Sequence, residues 1–580
     1  MTLPRLLLSF VSRHRRAYCL AALMLAAVGV LTVSIPRQVG HIVDALAAHQ
    51  LPADRLFIAL GELALMGIAI YALRVGWRLQ LFTASYRLGV ELRTRLYRQL
   101  TRQDAGFFQQ QRTGDLMARA TNDIDSVEMA AGEAMLAGFD GLLTLVLVLG
   151  MMTLGIDWRL AAAALLPFPL MAYAFNRISN QIHRAWGNAL YRFGSMNDHV
   201  QETLSGVRTL RALGLEALND RQMTRLAAAA SASSLSAQRW EAAFEPAVGL
   251  ALVCANVITL SLGGYLVWHG QLTIGALTSF SMYLVQLIWP MYAAGWVLSL
   301  LQRGDAAWQR LRPVLDAEPA VADRGRQTDL GPGALAFAGV SFHYPGQDEP
   351  ALADIQLEIP HGQTIGIVGP TGSGKSTLLR LLLRHYPLAH GRITWHGVSL
   401  DDIRLDALRG MIGWVPQEPF LFSASVAANI ALVRPEAGRD DVERVARLAA
   451  VHDDILRLPQ GYDTPVGEKG VALSGGQRQR LAIARALLAD APLLLLDDAL
   501  SAVDTLTEHQ ILQHLRDARR GRSVLIVSHR LSAVADADHI VVLGAGRIVE
   551  QGCHDALLAR DGWYASQWRY QQLEASLDAD

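Results

Sequence analysis

Lysine is nearly missing from this chain. Of its 52 basic residues only Lys375 and Lys469 are lysines, so arginine carries almost all the positive charge. A chain that has replaced Lys almost everywhere keeps one where Arg does not serve, and both survivors fall in motifs described below. Cysteine is also sparse. Cys19, Cys254 and Cys553 stand singly, which excludes a disulfide framework or a metal-ligand spacing and leaves them as small apolar fillers. The net charge is −1, without the clustered basic surface that nucleic acid requires, so no nucleic-acid partner is expected. Long apolar runs dominate up to about Ser299 and are missing afterwards, and 580 residues accommodate two to four domains.

Six segments in the first half are long and apolar enough to cross a hydrocarbon core of about 30 Å. They lie near 17–36, 57–77, 134–156, 159–176, 243–268 and 273–300. The fourth is short and holds Pro167 and Pro169, which a spanning helix tolerates when neighbours re-satisfy the freed backbone. The first run follows Arg5, Arg13, Arg15 and Arg16 but exceeds a signal-peptide core, and no small-residue cleavage site ends it, so a retained helix is expected. Before it, Leu3, Leu6, Leu7 and Phe10 alternate with Arg in the manner of a helix lying along the membrane surface.

Arginine sets the orientation. Arg87, Arg93, Arg95, Arg98, Arg102, Arg112 and Arg119 lie between the second and third runs, and Arg177, Arg184, Arg192, Arg208 and Arg211 between the fourth and fifth. The positive-inside rule then places both long segments and both termini in the cytoplasm. Folded as helical hairpins, these segments reach about 40 Å beyond the bilayer. That shape suits a membrane domain that must engage a cytoplasmic motor. A transmembrane domain over 1–314, a Pro/Gly/Asp-rich linker over 315–334 and a nucleotide-binding domain over 335–580 are the expected divisions.

In the second half, Gln363–Val368 reads as a strand running into Gly369, Pro370, Thr371, Gly372, Ser373, Gly374, Lys375, Ser376 and Thr377, followed by a helical Leu378–Leu383. This is the phosphate-binding loop in its strand–loop–helix context. Glycines let backbone N–H groups and the helix N-terminus face phosphates, Lys375 supplies a compact point charge, and the Ser376 hydroxyl can ligate Mg²⁺. Leu493–Leu496 forms a buried strand whose tip, Asp497, is the second Mg²⁺ candidate; the bland alternative is a helix cap. ATP with Mg²⁺ is the ligand pair these elements call for.

Leu473, Ser474, Gly475, Gly476 and Gln477, opening a helix, resemble the signature of the ABC transporter family. The resemblance implies two cassettes packed head to tail, each phosphate loop facing the other's signature. Further positions match in order. Tyr344 resembles the aromatic that stacks on adenine, Gln417 the glutamine that touches Mg²⁺ and senses the membrane domain, and His529 the residue at the γ-phosphate. Thr464–Gly470, which holds Lys469, resembles the exporter loop at the coupling helices, and Ser501–Asp504 the loop linking the two sites. Phe107–Asp125 matches the first cytoplasmic loop of exporters, so the likeness covers nearly the whole chain. It implies a six-helix membrane α domain fused to an α/β P-loop cassette, the exporter architecture.

One position departs from that pattern. After the metal Asp the family carries a Glu that polarises the attacking water, and here it is Asp498. Asp is one methylene shorter, and a misplacement of about 1 Å can cost about a hundredfold in rate. The neutral reading is a family member that simply tolerates Asp; an intact signature beside a short carboxylate leads instead to the expectation of a heterodimer. This chain's site is then slow, and its signature completes a partner's fast site. Asp498–Asp504, Thr507–Gln510 and the tail Tyr570–Ala575 resemble the multidrug-resistance-like half-transporters of bacteria, the MdlA (SmdA) group. That resemblance implies a partner of the MdlB (SmdB) group, an inner-membrane location among lipid, and export of small lipophilic compounds. Trp289, Tyr292 and Trp296 near one helical face, and the acids Glu62, Asp140 and Glu245 at span margins, are open between packing and substrate contact. An importer on the same fold and an ATP-gated channel or regulatory subunit stay open as alternatives.

Overall fold

The computed structural model describes residues 2–49, 52–467, 473–517 and 521–578. It forms two units, Met1–Gln99 with Gly114–Asp316, and Leu100–Thr113 with Ala317–Asp580.

In the first unit six helices are long and apolar enough to span a bilayer: Arg15–Ala47, Ala53–Leu100, Thr113–Ile156, Trp158–Ser205, Glu216–Trp268 and Ile274–Leu315. The first five each contain one of the apolar runs of the sequence, and the sixth covers its run from Ile274 on, with Thr273 as the helix cap. At 48 residues, Ala53–Leu100 is about 70 Å long, more than twice the hydrocarbon thickness. The fourth span turns at Leu165 and Leu166, and Pro167 takes the first turn of the helix that follows, where its missing N–H costs nothing. Leu3, Leu6, Leu7 and Phe10 are buried within the protein. The apolar stripe expected along the membrane surface is therefore spent on protein packing. Asp123 accepts from Arg310 Nε at 3.0 Å and Nη2 at 2.5 Å, tying the third span's extension to the sixth's. Cys19, Cys254 and Cys553 are all exposed, so none serves as a core filler.

The second unit holds ten strands among its described residues: β1 Leu335–Phe342, β2 Leu352–Ile359, β3 Thr364–Val368, β4 His390–Trp395, β5 Val398–Ser399, β6 Ile412–Val415, β7 Leu493–Asp497, β8 Ser523–Val527, β9 His539–Gly544 and β10 Arg547–Gly552. They form a sheet of order β2-β1-β4-β5 and another of order β10-β9-β3-β8-β7-β6. In the larger sheet β9, β3, β8, β7 and β6 run parallel. Parallel strands are covered on both faces, which is why β7 is an unbroken leucine run. Leu493 and Leu495 enter one apolar core while Leu494 and Leu496 enter the other.

The short segment Leu100–Thr113 groups with this second unit, and its contacts explain why. Asp104 caps the helix Ala105–Gln110 by accepting from Phe107 N at 3.1 Å, and its other oxygen accepts from Ala320 N at 2.7 Å. Gln103 Nε2 donates to the Ala317 carbonyl at 3.0 Å. Ala105 packs on the core that holds Tyr386, and a Cβ on Gly106 would sit 3.6 Å from the Tyr386 ring.

Candidate functional site

The parallel register brings the ends of β3, β6, β7 and β8 to one edge, where open α/β sheets bind their ligands. The loop leaving β3 is Gly369–Gly374, and Lys375–Leu382 is the helix it feeds. Two glycines are obligatory by geometry. Gly369 has φ +146° and a Cβ there would lie 2.1 Å from the Leu543 carbonyl oxygen; Gly374 has φ +98° and its Cβ would lie 2.5 Å from that of Ala351.

Lys375 is 5% exposed. Two of its three ammonium donors go to the carbonyls of Gly369 at 2.9 Å and Pro370 at 2.8 Å. Burial lowers its pKa, and the negative charges of Asp498 and Asp497 oppose that shift. Ser376 Oγ donates to Asp497 Oδ1 at 2.8 Å. Burial raises the pKa of Asp497 against the hydrogen bond from Ser376. A divalent cation fits this pair: one hydroxyl and one desolvated carboxylate leave most coordination positions to phosphate and water, the usual habit of Mg²⁺. Among the described residues no cluster of three His, Cys, Asp or Glu side chains forms a protein-only metal cage. Among the described residues the buried Ser373 Oγ has no partner, which suits a loop built to hold an anion.

The expected residues largely converge. Tyr344, Thr371, Gly372, Ser373, Gly374, Lys375, Ser376, Thr377, Gln417, Asp497, Asp498 and His529 line one pocket of about 400 Å³. Gly369 and Pro370 stand behind it as carbonyl acceptors for Lys375. The Tyr344 hydroxyl is 3.0 Å from Thr377 Oγ1 and accepts from Arg380 at 3.2 Å, with its ring edge-on to Phe342 and Tyr386. Gln417 and His529 are exposed, two residues beyond the ends of β6 and β8.

Ser474, Gly475, Gly476 and Gln477 do not line this pocket. Ser474 caps the helix Gly475–Leu488, and Gln477 reciprocates, its Oε1 accepting from Ser474 N at 3.0 Å. Ser474 and Gly475 are exposed, so the signature is a formed helix start with its surface open. Of the loop Thr464–Gly470, the residues 468–470 lie outside the described residues, Lys469 among them. The sequence reading missed Gln347, Glu349, Pro350 and Ala351, which also line the pocket. It missed Arg380 too, one helical turn beyond Ser376; the i, i+4 spacing was the available signal.

Residues 18–291 match the family model described as the ABC transporter transmembrane region, and 352–501 the model described as ABC transporter. The chain is 46% identical to the multidrug resistance-like ATP-binding protein MdlA of Escherichia coli (strain K12), covering 98% of this chain and 96% of that one. It is 40% identical to the probable multidrug resistance ABC transporter ATP-binding/permease protein YheI of Bacillus subtilis (strain 168), over 97% of both. It is also 34% identical to the ATP-dependent lipid A-core flippase of Syntrophus aciditrophicus (strain SB), over 100% and 95%. A solved bacterial Atm1-family ABC exporter with ATP bound superposes with a TM-score of 0.82 at 29% identity, covering 96% of this chain and 99% of that one.

Proposed function

The chain belongs to the ABC transporter family as an exporter half-transporter, a multi-pass membrane protein whose cassette couples ATP hydrolysis to transport, and from that membership we propose a division of labour with a second, different half. This chain's own site binds Mg–ATP and hydrolyses it slowly; its Ser474–Gln477 signature completes a fast site on a partner of the MdlB type that carries Glu. The observation that carries this reading is Asp498. It lines the pocket with Lys375 and Asp497 in the place where a longer acid would reach the attacking water.

The proposed roles draw on the geometry of the pocket. Lys375, buried and bonded to two carbonyls, has one ammonium donor left among the described residues for the β- and γ-phosphates. Thr371–Thr377 cradle the phosphates, and Tyr344 takes the adenine. Ser376 and Asp497 would hold Mg²⁺, which would supply charge neutralisation on the phosphates, and Gln417 lines the same pocket. His529 contacts the γ-phosphate, and Asp498 orients water from too far away.

Closure of two cassettes on ATP shifts the membrane helices from one accessible side to the other, an equilibrium driven by differential affinity for the closed pair. The helix Ala105–Gln110, whose Ala105 packs on the cassette core and whose cap Asp104 is bonded to Ala320 of the linker, transmits the motion. The arginine distribution supports cytoplasmic termini, so the cassettes meet cytoplasmic ATP, and the likeness to a solved exporter supports outward transport. Lipophilic cargo is supported by the names of the relatives and by a pocket of about 590 Å³ lined by Trp289, Tyr292 and Trp296. Asp140 stands beside it, accepting the Trp289 indole N–H at 2.8 Å, so a lipophile with positive charge is the best match.

The test is the ATPase rate of the chain alone in lipid beside Asp498→Glu. A nearly silent wild type that Glu restores supports the slow-site reading and makes a Glu-bearing partner necessary. A fast wild type removes the ground for the heterodimer.

A further inference from the structure

The last helix, Trp563–Asp578, hydrogen-bonds to the edge of the nucleotide site through Gln571. Gln571 Nε2 donates to the carbonyl of His529 at 2.8 Å, and Gln571 Oε1 accepts from the N–H of Leu531 at 2.9 Å. One target is an acceptor and the other a donor, so a single orientation of the amide satisfies both. The side chain thus pairs with the main chain on both sides of Arg530. Arg530 is drawn elsewhere: its guanidinium donates to the Val503 carbonyl at 3.1 Å and to Glu508 at 2.8 Å. Glu508 is itself buried and takes the Ser532 hydroxyl at 3.3 Å.

The segment needs such support because the sheet ends before it. The β3–β8 register stops at Val527, and Ser528 N reaches the Ile367 carbonyl at 3.2 Å as the last bond to that strand. The exposed His529 ring lines the pocket with Lys375 and Asp498. Where that ring stands is therefore decided by what holds its own main chain.

We propose that Gln571 is a positioning residue for His529, which makes the C-terminal helix part of the apparatus that senses the γ-phosphate. This rests on the reading of His529 given above. Losing the amide frees the His529 carbonyl and the Leu531 N–H together, and the ring then samples orientations away from the phosphate. ADP has no γ-phosphate, so its affinity is indifferent to the change.

The experiment uses the full chain in lipid nanodiscs and measures Mg–ATP and Mg–ADP affinities of wild type, Gln571→Ala, His529→Ala and the double variant. Expected is a fall of about fivefold in the ATP-over-ADP preference for Gln571→Ala, the scale of one net hydrogen bond. ADP affinity should hold within about twofold, and no further loss should appear on the His529→Ala background, as two residues acting through one contact require. An equal loss on that background, or equal weakening of ATP and ADP, overturns the proposal and leaves Gln571 as a helix tether. A preference unchanged by His529→Ala removes the reading of His529 itself, and the proposal with it. Amide hydrogen exchange at Leu531 gives a direct readout: faster exchange in Gln571→Ala is expected, and unchanged exchange shows that the clamp does not form in solution.

Discussion

Asp498 donates its backbone N–H to the carbonyl of Val527 at 2.9 Å while holding φ at +48°. Asp498 is thus pinned to the end of the neighbouring strand in a left-handed conformation, which short polar side chains such as Asp tolerate better than long ones. Asp498→Glu should therefore raise turnover, on the scale of tenfold to a hundredfold, at a stability cost of up to about 1 kcal/mol. Asp498→Asn should keep the fold and remove the residual turnover. Paired rate and thermal-unfolding measurements check both, and a Glu variant no faster than wild type contradicts the assignment.

His385 predicts an acid limit for the cassette. Burial first, then the charges of Arg409 and Arg380, lowers its pKa from 6.5 to about 4. The native state keeps the imidazole neutral, whereas the unfolded chain takes a proton below 6.5, so the contribution is complete above pH 6.5. It declines as pH falls to about 4 and is flat below that, with a ceiling of about 3 kcal/mol. His385→Leu should flatten denaturant midpoints across that window; an unaltered pH dependence would show that His385 does not carry it.

Asp104 serves two donors at once, Phe107 N and Ala320 N. Asp104→Ala removes a helix cap and a tether together, with an expected cost of about 1–2 kcal/mol. Its sharper signature is loss of transport with ATP hydrolysis retained. Parallel loss of both activities would mean that the helix is needed for folding rather than for coupling.

The Trp289 indole and the Asp140 carboxylate meet at 2.8 Å beside half-exposed aromatic rings. Asp140→Asn should weaken binding of a lipophilic cation such as tetraphenylphosphonium about tenfold, with tetraphenylborate, of matching size and opposite charge, bound no worse. Tryptophan quenching in nanodiscs reads this without transport. Equal quenching by the cation before and after substitution would place cation recognition elsewhere.

Much of the site was legible because its parts are local. The glycines at 369 and 374, Lys375 and Ser376 sit within eight residues, and the tight backbone they require is written in their spacing. The six spans were legible for the same reason, since a bilayer imposes a length and a polarity on consecutive residues. Other features had no local signal. Leu3, Leu6, Leu7 and Phe10 carry one amphipathic pattern whether their apolar face meets lipid or protein, and here it meets protein.

By itself the sequence determined which chemical groups the chain carries: a phosphate-loop pattern, an Asp at the tip of a leucine strand, a signature helix start, a short acid at 498 and six membrane-length runs. Tertiary structure alone decided what meets what. The parallel order β3-β8-β7-β6 brings Gln417, Asp497 and His529, far apart along the chain, into one pocket and leaves Ser474–Gln477 out of it. It also decided that Leu100–Thr113 groups with the second unit, and that Gln571, some forty residues beyond His529, grips the backbone there. The physical reason is range. Propensity, apolar period and glycine geometry act over a few residues, whereas contacts between distant side chains exist only once strand register has been chosen.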